Sequence, residues 1–139
     1  REDGPQAGGL ADLAGLRLAP RQEGSGTAGL LRDLASEAGL DLGRVTLTAM
    51  ERSEDEAVQS VRRGEADVTF GLESVARSYG LRFVPVIEER FDLLIDRRAY
   101  FEPAMQGLIA FCRSDAFGQR AESLGGYDLS RLGEVIWNA

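Results

Sequence analysis

Apolar positions along the chain switch repeatedly between two periods. Short runs suited to strands, at 16–20 (LRLAP), 45–50 (VTLTAM), 66–71 (ADVTFG), 81–87 (LRFVPVI) and 91–95 (FDLLI), alternate with stretches of helical spacing. Leu30, Leu31, Leu34, Ala35 and Ala38 share one helix face. Gly39 stands where a helix takes its left-handed C′ residue, with Leu40 as the apolar residue just beyond. In 45–50, Val45, Leu47 and Ala49 fall on one side of the predicted strand. SEDE at 53–56 has capping-box spacing and opens a helix that buries Ala57, Val58 and Val61 and stops at Gly64. ESVARSYG is a short helix ended by Gly80, and a short helix is also expected at 10–14. Pro85 cannot donate a ladder hydrogen bond, so 81–87 is expected at an edge or bulge.

Further along, Pro103 suits a first helical turn. Its helix carries the stripe Met105, Leu108, Ile109 and Cys112, and free cysteines are usually buried, so a core position is expected for Cys112. A last helix begins near Ser114, buries Phe117, Ala121 and Leu124, and breaks at GGY, 125–127. Trp137 is expected to pack onto the body. Strands alternating with helices predict an α/β fold, a mostly parallel sheet flanked by helices, with right-handed crossovers. Residues 1–9 (REDGPQAGG) read as a polar linker, and residues 10–139 as one domain.

Composition narrows the chemistry. The 139 residues carry a net charge of −7, which argues against a nucleic-acid surface on this chain. No apolar run is long enough to span a bilayer. All sixteen basic residues are arginine, and there is no histidine and no lysine. The commonest general base and metal ligand are therefore absent, and a lone cysteine excludes a structural zinc site or an internal disulfide. The cysteine usage fits a reducing compartment, so a cytoplasmic location is expected. No enzyme activity, metal or cofactor is expected of this domain.

One segment concentrates candidate chemistry: RQEGSGT, 21–27, between the first strand and the first long helix. Ligands of open α/β sheets bind at such carboxyl ends of strands. Free N–H groups and the helix dipole favour an anion there. Gly24 and Gly26 permit close backbone approach, Ser25 and Thr27 can donate hydroxyl hydrogen bonds, and Arg21 supplies a planar permanent cation. The spacing is not a Walker A motif, and Glu23 and Thr27 break a GxSxG elbow. On spacing alone, a hydroxyl serving only as an N-cap explains the segment equally well. Glu88 and Glu89 are read as surface, Arg90 as part of a solvated turn, and Tyr127 and Asp128 as structural.

RQEGSGTAGLL resembles the opening of the second lobe in periplasmic-binding-protein-like domains of molybdate-responsive regulators and molybdopterin biosynthesis proteins. The resemblance continues through RRGEADVTFGLESVARSYGLRFVPVIEERFDLLIDR to LGGYDLSRLGEVIW, covering about residues 10–137. It implies a type II lobe that belongs to a longer chain, with a first lobe preceding the loop. It implies binding or sensing of a small oxyanion, molybdate or tungstate first. The contacts carried over are Arg21, Ser25, Gly26 and Thr27, with Glu23 at the family's acidic position. Ala28 departs from the pattern, which often has a basic residue there. A phosphate-type ligand, or a homodimerisation domain without a ligand, are the alternatives. A carboxylate at Glu23 accepts a hydrogen bond from a protonated oxyanion and repels a fully deprotonated one, so its orientation bears on the choice.

Overall fold

A computed structural model describes residues 3–137. Residues 1 and 2 of the predicted linker, and the last two of the predicted domain, lie outside the described residues. The chain divides into two compact units at Glu88/Glu89.

The first unit is built on three short parallel strands, β1 (Arg17–Ala19), β2 (Thr46–Leu47) and β3 (Val68–Thr69), in the order β2-β1-β3. Leu18 pairs with Leu47 on one side and Val68 on the other. Between them run α1 (Gly26–Glu37) and α2 (Glu54–Arg63), and α3 (Glu73–Ser78) follows. The expected 10–14 helix is a 3-10 helix, Leu10–Gly15. The strands are shorter than the apolar runs predict, but pairing continues past β1. Thr48 N–H donates to the Leu18 carbonyl at 2.9 Å, Glu51 N–H donates to the Pro20 carbonyl at 2.9 Å, and Arg21 bridges Glu51.

Two small cores hold the unit. Leu13, Leu18, Leu31 and Val45 form one, and Ala19, Ala57, Val61 and Ala66 the other. The alanines of the second let α2 sit close against β1, since none projects beyond Cβ. Arg17 locks the sheet to the end of α2. Its guanidinium donates to Asp67 at 2.7 and 3.0 Å and to the Gly64 and Glu65 carbonyls at 3.0 Å each.

Helix ends follow local chemistry as expected. Gly39 adopts φ 67°, where a side chain would be strained, and Leu40 N–H donates to the Ala35 carbonyl at 2.8 Å. Leu40 then folds back onto the first core. The α2 and α3 helices end before Gly64 and Gly80, as predicted. The SEDE capping box is formed. Ser53 Oγ accepts from Glu56 N–H at 3.1 Å, and Glu56 Oε2 accepts from the N–H groups of Ser53 and Arg52 at 3.0 Å each.

Those two backbone donors hold the Glu56 carboxyl below its ordinary pKa. A lowered folded-state pKa stabilises the fold above the unfolded pKa, and that contribution is lost as pH falls through the folded value. Glu56→Gln therefore lowers the urea midpoint at neutral pH, and the gap to wild type closes once pH falls below the ordinary carboxylate range. A gap of the same size at both ends of the pH range contradicts this role.

The second unit contains a 3-10 turn at Ala99–Phe101, then α4 (Pro103–Cys112) and α5 (Asp115–Leu124). Pro103 opens α4, Ser114 Oγ caps α5 by accepting Phe117 N–H at 3.3 Å, and Gly125 ends it. Four expectations need correction. Residues 81–87 and 91–95 are not strands, because neither run finds a pairing partner among the described residues. Phe91 and Leu94 instead stand 88% and 92% exposed. Cys112 is half-buried on a helix with no buried residue, since α4 packs mainly on the 3-10 turn and α5, too little surface to close over its apolar stripe. Trp137 is exposed rather than packed. In the predicted 45–50 strand only Val45 of its inward set is buried, while Leu47 and Ala49 are exposed. Of the expected α5 core set, Ala121 is buried and Phe117 and Leu124 are half-buried.

Candidate functional site

The first unit contains a cleft of about 170 Å3 at the carboxyl end of β1. Arg21, Glu23 and Thr27 of the RQEGSGT segment line it. Ser25 and Gly26, expected beside them, are not among its lining residues.

Ser25 is the N-cap of α1. Its Oγ accepts Ala28 N–H at 3.2 Å, so the cap is real, and the hydroxyl proton remains available for donation. A turn hydrogen bond from Ser25 N–H to the Gln22 carbonyl at 2.9 Å shapes the loop. The first intrahelical bond runs from Gly29 N–H to the Ser25 carbonyl, so the N–H groups of Gly26 and Thr27 begin the helix without carbonyl partners. A Cβ built on Gly24 or Gly26 meets nothing within 4 Å, so these positions leave open space beside the backbone. The first turn of α1 contains no acidic residue, whereas that of α2 contains Glu54, Asp55 and Glu56. The positive end of the α1 dipole is therefore left uncompensated by its own helix.

Arg21 is held from two sides. Its backbone bridges Glu51, and its Nη2 donates to the Arg52 carbonyl at 3.3 Å. Its Nε is buried with no hydrogen-bond partner among the described residues. An unmet buried donor on a charged group is costly, and such atoms in native folds call for an explanation. No carboxylate among the described residues meets it. Glu51 Oε1 accepts the Ser60 hydroxyl at 2.5 Å, and Glu54 Oε1 accepts Leu72 N–H at 2.5 Å. Close passage of the Glu54 carboxylate over Gly71 explains that glycine, where a Cβ would lie 2.7 Å from the oxygen.

Arg32 also lines the cleft and was missed from sequence. The signal was available, since Arg32 lies four residues after Ala28 and so shares its face of α1. It brings a cation to the side on which Ala28 lacks one. Two arginines and one carboxylate leave the cleft positive in a chain of net charge −7. Its remaining walls are apolar, with Leu31, Leu47 and Phe70 among them.

A larger cavity, about 220 Å3, lies in the second unit among Phe117, Leu124 and Leu129. Arg120 is the single cation on its wall, with Tyr127 the other polar residue of the lining, so the chemistry favours the smaller cleft. In the same unit Arg90 pairs with Asp92 at 2.9 Å, and Asp128 accepts from Ser130 N–H at 2.8 Å, as structural readings of these segments predict. Glu88 and Glu89 are exposed. No group of acids and cysteines suited to a metal occurs among the described residues.

The profile of the PBP superfamily domain matches residues 2–113, and the chain belongs to that superfamily. It is similar to an uncharacterized protein in the 5′ region of a 2Fe-2S ferredoxin gene of Clostridium pasteurianum, 33% identical over 55% of this chain and 69% of that one. It is also similar to the uncharacterized protein YvgK of Bacillus subtilis strain 168, 25% identical over 92% of this chain. The chain spans 42% of the YvgK protein's length. No solved structure matches the chain. The superfamily supports ligand binding in general, and no helix among the described residues is long and apolar enough to cross a membrane.

Proposed function

We propose that this domain binds or senses a small oxyanion, with molybdate or tungstate the first ligand to test. One observation carries the reading: Arg21, whose buried Nε has no hydrogen-bond partner among the described residues, lines a positive cleft beside the acid-free N-terminus of α1. An oxyanion seated there accepts from Arg21, from the first α1 N–H groups and from the Thr27 hydroxyl. Ser25 organises the helix end and can add its free proton.

On this reading the chain is a type II lobe of a larger cytoplasmic protein, either a molybdate-responsive transcriptional regulator or a molybdenum-cofactor biosynthesis protein. Capture of the anion between lobes, or between subunits of a homodimer, shifts the activity of an attached domain. The domain itself is not an enzyme and makes no direct contact with nucleic acid.

A second reading, a phosphate-type ligand, draws on Glu23. Its presence at the cleft favours an anion that can donate a proton, such as hydrogen phosphate, over a fully deprotonated one. A third, dimerisation without a ligand, draws on the exposed Phe91, Leu94 and Trp137, apolar surface of the kind a partner covers. Isothermal titration calorimetry with molybdate, tungstate, phosphate and sulfate separates the three. Saturable molybdate or tungstate heat supports the first reading, and phosphate heat that weakens at alkaline pH supports the second. No heat from any anion, with a dimer in sedimentation, supports the third.

A further inference from the structure

We infer that the oxyanion held in this cleft is the head of a small organic anion whose apolar group lies along Leu31, Leu47 and Phe70. The inference rests on the anion-site reading above and concerns what the anion carries.

Room is the first argument. A cleft of about 170 Å3 has room for several waters, since one water needs only about 10–15 Å3 on the same measure. A bare tetrahedral oxyanion takes the room of roughly two. Space for a short apolar substituent remains.

The wall is the second argument. An oxyanion is held best where each oxygen meets a donor, because a charged oxygen against hydrocarbon is unfavourable. The donors here are few: Arg21, Thr27 and the start of α1, with Arg32 on the following turn. Apart from Glu23, the rest of the lining is hydrocarbon, with Leu31, Leu47 and Phe70 among it. Sites for organic molecules have this division, a mostly apolar surface with a few polar groups that fix orientation.

Leu47 is the third. It sits on β2 beside the central strand, yet it is 57% exposed. Its neighbour in sequence two places earlier, Val45, is buried as the strand pattern requires. Leu47 is therefore an apolar side chain displayed at the cleft, where an apolar ligand group covers it. Phe70 is half-buried, packs against the first core and also lines the cleft.

The probes are molybdate, inorganic phosphate, methylphosphonate, butylphosphonate and phenylphosphonate, titrated into wild type and Leu47→Thr. Threonine keeps a strand-favouring branched side chain at an exposed position, so the fold is retained. The expected result is affinity rising about threefold or more per added carbon, with phenylphosphonate at least about tenfold tighter than phosphate. In Leu47→Thr most of that advantage is lost while the affinity for phosphate is unchanged. A flat or falling series, with phosphate or molybdate still bound, overturns the inference and leaves the anion site standing. So does a rising series that Leu47→Thr does not alter, because the apolar contact then lies elsewhere. No binding of any probe overturns both the inference and the anion-site reading.

Discussion

Arg21→Ala weakens oxyanion binding by about 2–3 kcal/mol, roughly 30- to 150-fold in Kd. The size follows from what is removed. Hydrogen bonds from a charged donor are stronger than neutral ones, and Arg21 brings a planar permanent cation to the cleft lining. The substitution also removes the bond from Nη2 to the Arg52 carbonyl, but at 3.3 Å that contact is long. The fold is expected to lose little, because the backbone bridge to Glu51 does not need the side chain. Arg21→Lys does not restore affinity, since an ammonium cannot present the same planar edge. Circular dichroism and the urea midpoint check the fold, and calorimetry the affinity. Unchanged affinity in a folded Arg21→Ala protein removes Arg21 from the site.

Leu18→Ala has the largest expected effect on stability, about 3 kcal/mol. Leu18 is 2% exposed, lies on the central strand, and belongs to the core with Leu13, Leu31 and Val45. Truncation removes apolar contact from all three, and flanking strands pinned by hydrogen bonds cannot collapse into the gap. Small domains hold about 5–15 kcal/mol in all, so the loss is a large share. A urea melt followed by far-ultraviolet circular dichroism reads it. A loss below about 1 kcal/mol means the site collapses freely and the first core does not organise the unit.

These two residues also show why some features were legible in the sequence. Helix ends were, because their chemistry is local. Ser25, Ser53 and Ser114 cap the helices they precede, and Gly39 takes the left-handed turn that its place after an apolar stripe requires. The parallel order of β1, β2 and β3 followed from strands alternating with helices. Residues 81–87 and 91–95 have strand composition too, but a strand exists only through its partner, and composition does not supply one. Cys112 and Trp137 were misplaced for the same reason, since periodicity names a face without naming what covers it.

The candidate site was legible in part. Arg21, Glu23 and Thr27 came from one contiguous segment, and the structure brings them to one cleft. Ser25 was read both as a cap and as a contact, and the cap is what its hydrogen bond to Ala28 establishes. Arg32 lies outside that contiguous segment and reaches the cleft only through the helix face it shares with Ala28. Leu47 and Phe70 come from strands and strand ends 26 and more residues from Arg21, and only the sheet brings them together.

The central claim is that an anion sits against the start of α1. It is tested most directly by following backbone amide resonances of the 15N-labelled domain while molybdate, then phosphate, is added. The account predicts saturable shifts of the Gly26 and Thr27 amides with either anion, while Glu54 and Asp55 at the acidic start of α2 stay in place. Shifts at α2 or in the second unit with α1 unmoved, or no saturable shift at all, contradict it.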